Sequence, residues 1–124
     1  MKFKSLGKKG STYHGLETFK KPDGCFQVSC ISDEVTALCP VTGAPDWYTI
    51  TVSYEPKDLC VESKSLKLFL QSFRNEGMFC EALSDVMALQ LSTALKCCVV
   101  VKIVQKARGG VSIEAFSAHG LDNQ

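Results

Sequence analysis

Apolar and polar side chains alternate most regularly in WYTITVSYEP, residues 47–56, where Tyr48, Ile50, Val52 and Tyr54 share one face and Thr49, Thr51 and Ser53 the other. A period of two predicts a strand with one buried face. Pro45, just ahead of it, sits at a strand start, where its missing N–H does no harm. A shorter alternation in CFQVSCIS, residues 25–32, sets Phe26, Val28 and Cys30 against Gln27 and Ser29 and predicts an earlier strand, after which LCPVTGAPD reads as a turn. The period then lengthens. In ESKSLKLFLQSFRNEG, residues 62–77, Leu66, Phe69, Leu70 and Phe73 recur at i, i+3, i+4 and i+7, which predicts a helix capped by Ser63 and stopped at Gly77. A second helix is predicted over residues 80–96, with Leu83, Val86, Met87, Leu91 and Ala94 inward. CCVVVKIVQK and GVSIEAFSA read as two closing strands joined at ARGG, a sequence suited to a tight hairpin. The order ββααββ predicts an α+β fold: an antiparallel four-stranded sheet with two helices on one face.

Composition narrows the classes. With 124 residues, 45% hydrophobic and 22% charged, the chain reads as one soluble globular domain over residues 1–124, opening with a polar segment over residues 1–24. No apolar run approaches the ~20 residues of a membrane span, and MKFKSLGKKG lacks the apolar core of a signal peptide, so a cytoplasmic address without membrane contact is expected. Seven cysteines, an odd number with a vicinal Cys97-Cys98 pair, do not form a disulfide framework and fit a reducing compartment. Zinc is disfavoured because there is no C-x-x-C and His14 and His119 lie far apart. The six lysines of the first segment (Lys2, Lys4, Lys8, Lys9, Lys20, Lys21) read as a solvated arm rather than a phosphate-binding one.

The chemistry centres on CPVTGAPD, residues 39–46. Cys39 lies in a bent, proline- and glycine-rich loop with Asp46 seven residues on. A free thiol is mostly protonated at neutral pH, and a nearby carboxylate does not by itself favour a thiolate. Asp46 instead suits proton transfer as sulfur attacks. On spacing alone the signal is weak, because unreactive cysteines filling space far outnumber catalytic ones.

Resemblance separates these readings. CPVTGAPD, followed by VESKSLKLFLQSFRNEGMFCE and preceded by LGKKGSTY and LETF, with RGGVSI near the end, resembles the 7-cyano-7-deazaguanine reductase family in its short single-domain form. The resemblance implies a tunnelling fold whose subunits form closed barrels with active sites at subunit interfaces. It also implies NADPH-dependent reduction of a nitrile to an amine in queuosine biosynthesis, with no direct contact to nucleic acid.

It assigns Cys39 as the nucleophile forming a covalent thioimide and Asp46 as the proton carrier. Val61, Glu62, Ser63, Cys80 and Glu81 match substrate positions. Ser63, Lys64, Lys67, Arg108 and Gly109 match cofactor positions, although no G-x-G-x-x-G fingerprint is present. Position 80 departs from the family: many members carry histidine or tyrosine there, and a thiol is a poor donor near neutral pH. Competing readings are an amidinotransferase acting on the nitrile base in tRNA and a noncatalytic heterocycle-binding module of the same fold.

Overall fold

The computed structural model describes residues 12–121. Its elements are β1 (Thr18–Lys20), β2 (Val28–Leu38), β3 (Pro45–Tyr54), β4 (Leu59–Val61), α1 (Ser63–Gln71), α2 (Cys80–Leu95), β5 (Val99–Arg108) and β6 (Val111–His119). Strands β2-β3-β5-β6 form an antiparallel four-stranded sheet in that order, while β1 and β4 pair as a small second sheet. The α+β architecture with two helices is therefore the predicted one, enlarged by two three-residue strands. No described helix is long and apolar enough to cross a membrane.

Strand β3 behaves as its alternation predicts: Tyr48, Ile50, Val52 and Tyr54 are all buried. Its neighbour β5 buries Val99, Val101 and Ile103 on the same face, and α2 lays Leu83, Met87, Ala88, Leu91 and Leu95 across β5 and β6. Each of these large apolar side chains contributes about 1.5–3 kcal/mol by leaving water. Ala94 and Val86, predicted inward, are only half-buried. The Ser84 and Ser117 hydroxyls, 2.7 Å apart, add a polar tie between α2 and β6.

Strand β2 is longer than its sequence pattern. A bulge between Ser32 and Val35 inserts one residue, so the inward set changes from Val28 and Cys30 to Val35 and Ala37. Phe26 precedes the strand and is exposed, contrary to its predicted inward place.

The first helix also differs at both ends. Its N-cap is Glu62, not Ser63: the carboxylate accepts from the Lys64 N–H (2.8 Å) and the Ser65 N–H (2.7 Å), satisfying two orphan donors at once. It ends at Gln71 rather than Gly77, where the Ser72 hydroxyl donates to the Phe69 carbonyl (2.6 Å) and competes for the last turn. Phe73 still reaches the core, edge-on to Phe69.

The polar first segment contains structure too. Strand β1 pairs with β4 through Thr18 and Val61, and the Glu17 carbonyl accepts from the Glu62 N–H (2.8 Å). The Lys21 ammonium donates to the Pro22 and Asp23 carbonyls. Lys2, Lys4, Lys8 and Lys9 lie outside the described residues.

Candidate active site

Leu38 and Pro45 are the last register pair of β2 and β3, so the connection between them leaves the sheet at Cys39. The Cys39 N–H donates to the Ala44 carbonyl (2.8 Å), and the Gly43 N–H donates to the Cys39 carbonyl (2.9 Å). These bonds close a tight loop. Gly43 has φ +74°, a left-handed conformation that disfavours any side chain.

The closure turns polar hydrogens toward the sulfur. The Thr42 hydroxyl, then the Thr42 and Val41 backbone N–H groups, hold the Cys39 thiol below its usual range, against burial and the negative charge of Asp46. Thr42 is thus a neighbour of the thiol that the pattern of apolar and polar residues does not single out. Its signal was a hydroxyl three residues after a cysteine inside a turn.

Asp46 opens the inward face of β3 and is 7% exposed. A buried carboxylate needs a partner, and Arg108 supplies it by donating to Asp46 Oδ1. A second bulge, between Gln105 and Arg108, re-aims the end of β5 toward this carboxylate. The hairpin beyond it turns through Gly109 and Gly110, both at positive φ, the conformation a two-residue connection demands.

Cys39, Asp46, Glu81, Gln105 and Arg108 line one open cleft of ≈ 620 Å³, with Phe79 at its wall. Glu81 is exposed in the first turn of α2. Its neighbour Cys80 points the other way. It is 1% exposed, its thiol donates weakly to the Ile103 carbonyl (4.0 Å), and burial, with Glu81 and Asp46 adding, pushes it up to about 11. Cys80 therefore stays a thiol behind the cleft, while Cys39 is the activated one.

The remaining sequence-assigned residues lie elsewhere in the chain. Val61 is buried in β4, its N–H donating to the Tyr54 hydroxyl (2.9 Å), and the Glu62 carboxylate is engaged in capping α1. Lys64 is half-buried in the first turn of α1. Ser63 and Lys67 are exposed on a second cleft of ≈ 410 Å³, beside Cys30, Asp33 and Glu34.

The chain enters α1 from β4, beyond the Tyr54 end of β3, and returns to bridge Leu38 with Gly77 at the Cys39 end. Ser63 and Lys67 line one cleft and Cys39, Asp46, Glu81 and Arg108 another, so the two sets of residues do not share a cleft within one chain.

The chain is similar to known proteins in sequence and in fold. A sequence model described as QueF-like protein matches residues 45–124. The chain is 40% identical over 105 residues to the "NADPH-dependent 7-cyano-7-deazaguanine reductase" of Frankia casuarinae, covering 84% of each chain. It is 42% identical over 108 residues to the protein of the same name from Anaeromyxobacter sp. (strain K), covering 85% of this chain and 88% of the relative. In fold it is similar to the apo crystal structure of the archaeosine synthase QueF-Like, with TM-score 0.72 and 20% identity over 83% of this chain and 99% of that one. With most of its length matched by relatives at this level, the chain belongs to the QueF-like protein family.

Proposed function

We propose that the protein is an NADPH-dependent nitrile reductase that converts 7-cyano-7-deazaguanine to the aminomethyl base through a thioimide on Cys39, in the route to queuosine. The observation that carries this reading is that Cys39 and the buried carboxylate of Asp46 line one cleft.

The Cys39 sulfur attacks the nitrile carbon, forming a C–S bond as one C–N π pair moves to nitrogen. Asp46 takes the thiol proton and returns it to that nitrogen, leaving a neutral thioimide. Arg108 donates to Oδ1 of Asp46, and the proton goes to Oδ2. Glu81, exposed at the rim, suits the ring N–H and amino donors of a deazapurine edge, which one carboxylate accepts in pairs. When sulfur later departs, the Val41 and Thr42 donors receive it as thiolate.

NADPH, when bound, supplies the hydride equivalents, two per nitrile carried to the amine. The residues present suit its phosphates: Arg108 and Lys67 are exposed cations, and Gly109 has open space where a side chain would stand.

The two residue sets meet only if a second copy brings its α1 start to the Cys39 cleft, which is why we place the complete site between subunits of a homo-oligomer. Two features support association. Among the described residues β2 and β6 are the edges of the four-stranded sheet, and β2 is bridged on its outer side at Leu38 alone. Ile31, Trp47 and Phe116 stand exposed on the sheet face away from the helices.

The test is stoichiometric. Purified protein given the nitrile and NADPH should oxidise two NADPH per nitrile consumed and release the amine. Consumption of the nitrile without NADPH oxidation, with ammonia yielding an amidine, would replace this reading by the amidinotransferase one.

A further inference from the structure

The Tyr48 hydroxyl is a buried donor with no hydrogen-bond partner among the described residues. Such a group costs stability and calls for a partner that the described residues do not supply. Tyr48 is fully buried and follows Asp46 by two residues on the inward face of β3. Across the ladder it faces Gln105, which lines the cleft.

Burial first, then the negative charge of Asp46, pushes the Tyr48 phenol up to about 12. It is therefore a protonated donor within electrostatic reach of the site's own residues.

Asp46 supplies the other half of the argument. Its cation, Arg108, is half-exposed and stands at the foot of a glycine hairpin. A phosphate-bearing ligand in the cleft competes for that guanidinium with a better, bidentate partner. Losing the cation would leave a buried carboxylate uncompensated, which is strongly unfavourable. A phenol with no other partner stands two residues along the same strand face.

We propose that Tyr48 is a positioning residue for Asp46: when Arg108 turns to an anionic ligand, the Tyr48 hydroxyl donates to the Asp46 carboxylate and holds it beside Cys39. This rests on the reductase reading only for the ligand that draws Arg108 away.

Tyr48→Phe and Arg108→Gln, singly and combined in the full chain, provide the test. Removing an unsatisfied hydroxyl should leave the wild-type Tm unchanged or higher. In the Arg108→Gln background the same change should lower Tm by several degrees, because the carboxylate then loses its remaining donor. With NADP+ present to draw Arg108 away without supplying hydride, Tyr48→Phe should also slow nitrile capture by Cys39 about tenfold with KM unchanged. Loss of packing cannot lower that rate while sparing Tm. An equal Tm effect in both backgrounds overturns the proposal, as does an unaltered capture rate. If the wild type captures no nitrile, the reductase reading fails, and the Tm cycle still decides the role of Tyr48.

Discussion

Among seven cysteines, reactivity is decided by what points at each sulfur. Cys39 faces the Thr42 hydroxyl and two loop amides, whereas Cys80 is surrounded by core and held as a thiol. Thr42→Val removes the largest of the stabilising bonds and should raise the Cys39 thiol. The midpoint of its pH-dependent alkylation then moves upward and the rate near neutral pH falls; an unmoved midpoint would show that the amides alone suffice. Asp46→Asn keeps size but carries no proton, and should lower turnover by about a hundredfold or more. The resemblance implied that Cys39 and Asp46 share a site, which their spacing alone left open, and both line one cleft. Arg108 was visible only as a cofactor match, because a bulge, which leaves no periodic trace, turns it onto Asp46. Tyr48 was read simply as the first inward residue of a strand, and alternation cannot distinguish a satisfied core phenol from an orphaned one.

Elements with one buried face and regular pairing were legible, and interrupted ones were not. Strand β3 is paired on both sides and packed on one face, so its period survives intact. Strand β2 lost its second half to the bulge at Ser32/Val35, which reverses the inward parity. Strands β1 and β4 are three residues each, too short for a period. The start of α1 was misplaced by one residue because serine is the commoner cap, while here the Glu62 carboxylate serves two amides. Glu62→Ala should therefore cost about 0.5–2 kcal/mol of stability, seen as a lower urea midpoint, with Glu62→Gln costing less. Unchanged stability would free Glu62 for the ligand role that the family resemblance implies.

At the scale of the whole molecule, the Cys39 cleft and the α1 start are separated within one chain. If neighbouring copies complete each other's sites, mixing Cys39→Ala with Lys67→Ala oligomers and allowing subunit exchange should restore about a quarter of wild-type activity, since random pairing reunites both intact residues in one site of four. No recovery from exchanged subunits would place each site within one chain. Every proposed later step depends on covalent capture at Cys39. Intact-mass analysis of the protein incubated with 7-cyano-7-deazaguanine in the absence of NADPH measures that step directly. The expected result is a gain of one substrate mass per chain, mapped to Cys39 and absent from Cys39→Ala. No gain in mass, or an adduct mapped to Cys60 or Cys80, would contradict it.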